Sequence, residues 1–556
     1  MSGVLGSERS HDMDRLTKIL EARGGRKQLI MFVTGLAGAG KSTGINVAQR
    51  FCYEFCKAAS VMWRDNTFLF TAYTGSAAAA FGGLTTSSAT FLGKTNLSDD
   101  DRQMFEGVRI LVIDEVLFLK DSELDNLMKN LQNLGDPHLP FGGYNIVFGG
   151  DFQQLRPVNV KDSEILWHPS SSGKFEQHVN CAIILDGIHR FRDDKRYGEM
   201  LKRLCAGELT EEDIEWINTR VIGRNGLKLP KRLEGNACYA CYKNMERNSI
   251  TAGIFDQHLK DTHPSEGSKE LPPTHTLIIE AHVDSTTSCS EKKLRSLRRR
   301  IMELGDDDVR HQKRKLIDPC LRCYIGAFFM CNSNEGLKEK GTGNGTQCRL
   351  LRVKLREGAK SYMCKIWNKR KVWTVCASDV EWVEFEHYPK TQTISNLESL
   401  LKQKKQEQLN NPTDTRAAEI ENIESKLNRE VNLRKFKLSP KFFSKCKVHV
   451  SPNDFVLEKQ PMWCSITQIP VISSDAITGH KLQGLTKDQL IIYSWNNTTN
   501  WIYVVLSRVR TIGGLFLVKP LKLSDIKPPS RDYLTFIGRM KILQQVDLDR
   551  SRGQTT

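Results

Sequence analysis

Gly35-Leu36-Ala37-Gly38-Ala39-Gly40-Lys41-Ser42 is the stretch that decides the fold. It fits the pattern of a phosphate-binding loop, a glycine-rich run closed by Lys and Ser. Its surroundings matter as much as its letters. The apolar run Gln28–Val33 before it reads as a buried strand. Ser42–Ala59 after it reads as a helix, with Ile45, Ala48, Cys52, Phe55 and Ala59 on one face. In such a strand–loop–helix unit, glycines let backbone N–H groups curl around phosphate oxygens. The helix start adds favourable partial charge. Gly35 to Thr43 is therefore the expected nucleotide cradle. Lys41 is expected to reach the β- and γ-phosphates of ATP, and Ser42 to hold Mg²⁺.

Four more short apolar runs follow, Thr67–Ala72, Arg109–Ile113, Tyr144–Gly149 and Cys181–Leu185. Separated by helical stretches, they indicate an α/β fold with a parallel sheet. A second series holds Thr276–Ala281, Gln489–Tyr493 and Leu515–Val518. Between its parts, residues 320–390 carry short β-like runs with glycine turns, and residues 393–436 are charge-rich and helical. In the latter, Ile420, Ile423, Leu427 and Val431 keep an apolar seam, with Thr413 or Asp414 as cap. The expected division is a flexible start at 1–26 and a first RecA-like P-loop domain at 27–186. A second RecA-like domain at 187–318 and 465–540 is interrupted by a small β-barrel with a helical hairpin at 319–464. A flexible tail closes the chain at 541–556.

Ile110-Leu111-Val112-Ile113-Asp114-Glu115 ends an apolar strand on two acids. Beside a phosphate loop, Asp114 is suited to Mg²⁺ and Glu115 to orienting the attacking water. Composition agrees with a polyanionic partner. The 81 Lys+Arg outnumber the 65 Asp+Glu, giving a formal net charge of +16. No apolar run is long enough to span a bilayer, and Met1–Arg15 lacks a signal-peptide core. The expected location is inside the cell, in a eukaryote the nucleus rather than mitochondrion or cytoplasm. The 15 cysteines are expected to be reduced thiols. Cys238-Tyr239-Ala240-Cys241 and Cys320-Leu321-Arg322-Cys323 read as buried thiols in preference to a zinc site. The basic tract from Lys292 to Lys315 and the cluster Arg434 to Lys447 read as solvated faces, nucleic-acid contacts or an import signal.

Several further segments, in order along the chain, resemble the petite-integration-frequency DNA helicases, a RecD-like branch of superfamily 1 class B. Phe70-Thr71-Ala72-Tyr73-Thr74-Gly75-Ser76-Ala77-Ala78 resembles that family's motif Ia. Pro140-Phe141-Gly142-Gly143 with Gly149 to Val158 resembles its signature region and motif III. His189-Arg190-Phe191 falls at motif IV, Asp475 to Thr486 at motif V and Tyr503 to Arg510 at motif VI. Gly326 and Asn344-Gly345-Thr346 resemble the inserted barrel. The likeness runs from about residue 29 to 520.

The resemblance implies Gln154 as γ-phosphate sensor. It implies Arg190 and Arg508 as arginine fingers reaching across from the second domain. It implies strand contacts by Thr74, Gly75, Thr478, His480 and Lys481, on chemistry that carries no sequence information. It also implies 5′ to 3′ travel on single-stranded or forked DNA by a monomer in replication, repair or recombination, with RNA left open. This sequence departs from the family in places. No clear adenine-reading Gln segment precedes the loop, and Thr86-Ser87-Ser88 follows Gly82-Gly83 where a His is usual. Leu117, Arg156, Phe191 and Gly479 replace the usual Ser, Pro, Gln and Ile. The alternatives are a DNA-stimulated translocase that remodels protein–DNA complexes with little unwinding, and a non-hydrolysing nucleic-acid scaffold. A rolling-circle transposon protein would need a His-x-His nickase segment, which the chain lacks.

Overall fold

The computed structural model describes residues 28–551, apart from 81–82, 95, 158–159, 230–235, 263–273, 287–290, 304–309, 312–316, 335–340, 366–370, 389–390, 411–413 and 451–459. Lys313 to Lys315, Asn411-Pro412 with Thr413, and Val158 fall outside the described residues, as does the expected flexible start. The chain divides into two compact units.

The first unit comprises the chain up to Tyr73, Gly83–Arg190 and everything from Pro529. Its strands are β1 (Ile30–Gly35), β2 (Phe68–Ala72), β3 (Leu84–Thr85), β4 (Ile110–Asp114), β5 (Asn145–Gly149) and β6 (Cys181–Leu185). They form one sheet in the order β3-β2-β4-β5-β1-β6, with every pairing parallel. All six strands therefore end on the same side, where ligands gather in open α/β sheets. The apolar runs Leu111–Ile113 and Ile146–Phe148 are buried on both faces, as strands of such a sheet require. The last three residues of the signature turn, Phe141, Gly142 and Gly143, are all left-handed (φ 49°, 65° and 78°). A Cβ on Gly142 would lie 2.0 Å from the Leu131 carbonyl oxygen, so only glycine lets this turn press against the end of helix Asp121–Leu134.

The first unit departs from the sequence expectation in two ways. Helix Lys41–Ala58 buries only Ile45, while Ala48 is exposed and Phe55 is 38% exposed. Apolar spacing tells which residues share a face, but not whether anything covers it. The expected tail at 541–556 is also helical as far as Ser551. Arg531–Ser551 is a helix against β6, with Tyr533, Phe536 and Met540 in the core. Phe536 meets the rings of Phe32, Phe152 and Phe175 at 6.1, 5.7 and 6.4 Å. The Gln544 side chain accepts the Ile184 backbone N–H at 3.0 Å.

The second unit comprises Thr74–Gly82 and Phe191–Pro528. It opens its sheet with β7 (Ala237–Cys241), covered by helix Asn244–Thr262. Then come β8 (Thr276–Glu280), β9 (His282–Ser285), β10 (Arg310–His311), β11 (Cys320–Tyr324), β12 (Phe328–Cys331), β13 (Gln347–Leu355), β14 (Ser361–Lys365), β15 (Lys371–Cys376) and β16 (Val380–His387). The helical pair Gln392–Asn410 and Asp414–Leu433 follows, then β17 (Lys435–Leu438), β18 (Lys441–Val450), β19 (Gln460–Gln468) and β20 (Val471–Ser473). β21 (Ala476–Thr478), β22 (Gln489–Ile492) and β23 (Leu515–Leu517) return to β7 in a parallel sheet of order β21-β7-β22-β23.

The inserted material forms three further sheets, β10-β18-β19-β9, β11-β8-β15-β14 and β17-β16-β13-β12-β20. It is larger than the expected 319–464. β8, read as a strand of the second parallel sheet, pairs antiparallel with β11 and parallel with β15. The run Thr276–Ala281 has the apolar character of any buried strand, and its partner cannot be read from its letters. In the helical pair, Ile420, Ile423, Leu427 and Val431 are half-buried, as their spacing suggested. The two CxxC pairs lie in different sheets, on β7 and β11. Burial raises the pKa of Cys238, Cys241 and Cys323.

Because the last helix completes the first core, Phe536→Ala should destabilise the first unit by about 3–5 kcal/mol. Denaturant unfolding should show its transition at lower denaturant, and an unmoved transition would contradict the packing described.

Candidate nucleotide and strand site

The parallel register brings the predicted phosphate chemistry together. β5 lies between β1 and β4, with Val33 opposite Gly149 and Ile113 opposite Phe148. The loop after β1, Asp114 at the end of β4, and Asp151 just after β5 thus share one end of the sheet. Lys41 begins its helix and folds back over the loop. Its ammonium donates to the Gly35 and Leu36 carbonyl oxygens at 2.7 and 3.1 Å.

Asp114 is buried, and its Oδ1 accepts the Glu115 N–H at 2.9 Å. Burial raises its pKa, while that N–H and the Lys41 charge oppose the rise. A carboxylate held in this way is a strong partner for a divalent cation, which would stabilise its charged form. Glu115 is left-handed at φ 57°, a conformation costly for a side chain of this kind. Such strain persists only where surrounding structure enforces it, and it gathers at functional sites. Gln154 is buried, and its side-chain amide donates to Asp151 Oδ2 at 3.4 Å. Asp151 also takes the Gln153 N–H at 2.9 Å. The role of Asp151 in holding this turn was not assigned from sequence, although it stands inside the quoted motif.

Arg190 was expected to come from the second domain, but it belongs to the first unit. β6 runs beside β1, so the chain leaving it turns back across the phosphate loop. The Arg190 N–H donates to the Gly38 carbonyl oxygen at 3.3 Å. A Cβ on Gly38, which is left-handed at φ 82°, would lie 2.3 Å from the Arg190 Cβ. His189 packs beside Gly40 and Gly187. The arginine therefore lies next to the loop from the same unit.

In the second unit, Thr74 caps helix Gly75–Ala80, accepting the Ala77 N–H at 3.4 Å. Gly75 fits tightly against inserted material. A Cβ there would lie 2.2 Å from Asn334 Oδ1 and 2.7 Å from the Asn344 backbone nitrogen. The Asn344 N–H donates to that same Asn334 Oδ1 at 2.6 Å. Asn334 was not singled out from sequence, whereas Asn344 stood in the barrel segment.

Thr478 ends β21 opposite Cys241, followed by the single turn holding His480 and Lys481. Arg508 follows helix Trp501–Leu506 and is only 1% exposed. Its guanidinium donates to the Val504 carbonyl at 2.8 Å, the Ser507 hydroxyl at 2.6 Å and the Leu485 carbonyl at 3.4 Å. The Lys487 N–H donates to the Arg508 carbonyl at 2.8 Å, and its buried ammonium to Asn236 Oδ1 at 2.9 Å. Motif VI is thus held to motif V by backbone and by the Arg508 guanidinium, while the buried amine ties Lys487 to Asn236 just before β7. Desolvation raises the Asp475 carboxyl to about 6, although the Ser473 hydroxyl and Lys487 pull it down.

An all-parallel sheet with this loop, buried Asp and neighbouring Gln turn defines a RecA-like P-loop nucleoside triphosphatase fold. The family model described as "PIF1-like helicase" matches residues 10–212. Over that stretch, a little over a third of its length, the chain is similar to the PIF1-like helicases. It is 30% identical over 193 residues to the ATP-dependent DNA helicase PIF1 of Saccharomyces cerevisiae, covering 33% of this chain and 22% of that protein. It is 28% identical over 197 residues to the ATP-dependent DNA helicase RRM3 of the same species, covering 33% and 26%. The matched region thus spans about a quarter of the length of these curated relatives. The fold resembles that of a Bacteroides Pif1 helicase solved with ADP-AlF3 and ssDNA, at TM-score 0.57 and 18% identity over 97% of each chain. It also resembles Candida albicans Pif1, at TM-score 0.55 and 17% identity over 96% of this chain and 99% of that one.

A raised carboxyl contributes stability that is present below its ordinary value and lost as pH rises through its folded value. For Asp475 that window runs from 3.8 to about 6. Thermal melts should show wild type losing stability relative to Asp475→Asn across this interval, by at most about 3 kcal/mol. A difference constant with pH would contradict the buried setting of the carboxyl.

Proposed function

We propose that the chain is an ATP-dependent DNA helicase that moves 5′ to 3′ along single-stranded DNA in genome maintenance. One observation carries most of this reading: Lys41 and the buried Asp114 meet at one end of a single parallel sheet, with the Gln154 turn beside them. The residues suit a magnesium–nucleotide. Backbone N–H groups from Gly35 to Thr43 would hold the phosphates, with Lys41 giving positive charge to the outer ones. Ser42 and Asp114 would hold Mg²⁺, which, when bound, neutralises charge developing on the phosphoryl oxygens. Glu115 would orient and deprotonate the attacking water, and Gln154 would sense the γ-phosphate. Arg190, beside Gly38, and Arg508 would supply finger charge, which is worth ~10³–10⁵ in rate.

Thr74, Gly75, Thr478, His480 and Lys481 would grip the strand through hydroxyl, backbone and cationic contacts to phosphates. The relatives' names and the ssDNA in the Bacteroides structure support DNA as the track. A second reading is a translocase that remodels protein–DNA complexes and separates strands poorly. It is favoured by the stretch 81–106, where a strand-separating wedge is expected, because Phe91 and Phe105 are buried in the first unit's core.

Hydrolysis with and without single-stranded DNA, together with displacement on forks bearing 5′ or 3′ tails, tests these readings. Strong stimulation by the strand and unwinding only from the 5′ tail are expected, with both nearly abolished in Lys41→Ala. Unwinding from the 3′ tail alone would reverse the polarity, and stimulated hydrolysis without unwinding would favour the translocase. Arg508→Ala should slow hydrolysis by ~10³-fold or more, and it should also lower thermal stability, since its guanidinium holds three acceptors inside the second unit.

A further inference from the structure

The sheet β10-β18-β19-β9 lies outside both parallel sheets and outside every motif assigned above. One face is closed. Val283, Phe443, Cys446, Val448, Cys464 and Ile466 pack there against Leu297 and Ile301 of helix Glu291–Glu303. The other face is open, and it is unusual in displaying two large aromatics. Phe442 is 63% exposed and Trp463 42%.

A bulge creates this face. Phe443 pairs with Ile466 and Cys446 with Cys464, so three steps on β18 match two on β19. Lys445, inside the bulge, is left-handed at φ 53°. Without the extra residue, Phe442 and Lys447 would point to opposite sides, because side chains alternate along a strand. With it, both join Trp463 on the open face. Arg310 pairs with Lys447 across β10, and Lys447 pairs with Trp463, its ammonium 6.0 Å from the indole. Asp284 stands opposite Ser465. It is already engaged by Arg298 at 3.3 Å and His282 at 3.0 Å. The exposed cations Lys445 and Lys447 therefore have no carboxylate set against them on this face among the described residues.

We propose that this face is an accessory binding surface for single-stranded nucleic acid, additional to the strand track of the motor. Phe442 and Trp463 stack on bases, and Lys445 and Lys447 meet phosphates. Flat rings on a rigid sheet, flanked by cations, suit an unpaired strand, because every base has a stacking face and every nucleotide a charge. A duplex hides its bases and gains only the charge term. The surface works whether or not the motor hydrolyses ATP.

The test uses the full chain, without nucleotide, and strands of single-stranded DNA or RNA carrying 5-iodouracil. Cross-linked peptides are mapped by mass spectrometry. Cross-links to Phe442 or Trp463 are expected, and the DNA and RNA arms show which strand is preferred. Two double variants, Phe442→Ala with Trp463→Ala and Lys445→Glu with Lys447→Glu, should bind a strand of roughly 30 nucleotides about tenfold more weakly, yet bind one of roughly 8 nucleotides almost as wild type. The charge-reversal variant should also flatten the dependence of affinity on salt. Strand-free hydrolysis and melting temperature serve as folding controls, since none of the four residues belongs to the nucleotide site. Absence of cross-links to β18 and β19, or unchanged binding of the longer strand by both variants, overturns the proposal and leaves the face to a protein partner. Cross-links that persist in Lys41→Ala keep this inference separate from the motor reading.

Discussion

The site depends on one constraint, the parallel pairing of β5 between β1 and β4. Had any of the three run the other way, its terminal residue would lie at the far edge of the sheet. The loop, the buried carboxylate and the Gln154 turn would then be separated by the length of a strand. Because all three share a direction, Lys41 lies close enough for its charge to oppose the desolvation of Asp114. The same constraint accounts for Arg190. β6 pairs on the other side of β1, so its exit leads back over Gly38.

The second unit solves a different problem. Its parallel sheet begins at β7 and is finished only by strands that follow the long insertion. Motifs V and VI are fixed to each other locally through Leu485, Lys487 and Arg508, and Lys487 is tied in turn to Asn236 just before β7. A buried amine paired with an amide oxygen is costly to leave unsatisfied, so this link is selective about geometry. The two motifs can thus be kept in register independently of the inserted sheets.

Much of this was legible in the sequence because it depends on local pattern. The five runs of the first sheet appear within two residues of where apolar composition placed them, and Asp114 ends β4 as its run implied. What stayed hidden depends on pairing across distance. Thr276–Ala281 has the letters of a strand but no mark of which sheet would take it. The apolar face of helix Lys41–Ala58 gave no sign that it would be left largely uncovered. Residues 531–540 carry no mark that separates them from the second domain, to which the sequence assigns them, although Phe536 fills the middle of a ring cluster in the first unit. The bulge at Lys445 escaped for a related reason, since the alternation it breaks was never strong in a stretch so rich in lysine.

That last helix has a consequence for how the chain is made. Phe32, Phe152 and Phe175 leave the ribosome early, yet the ring that completes their cluster is Phe536. Roughly 350 residues of translation separate the end of β6 from it, about 20–70 s at ~5–20 residues per second. Throughout that interval the aromatic cluster of the nascent first unit lacks the ring that closes it, the kind of unfinished surface on which holding chaperones act.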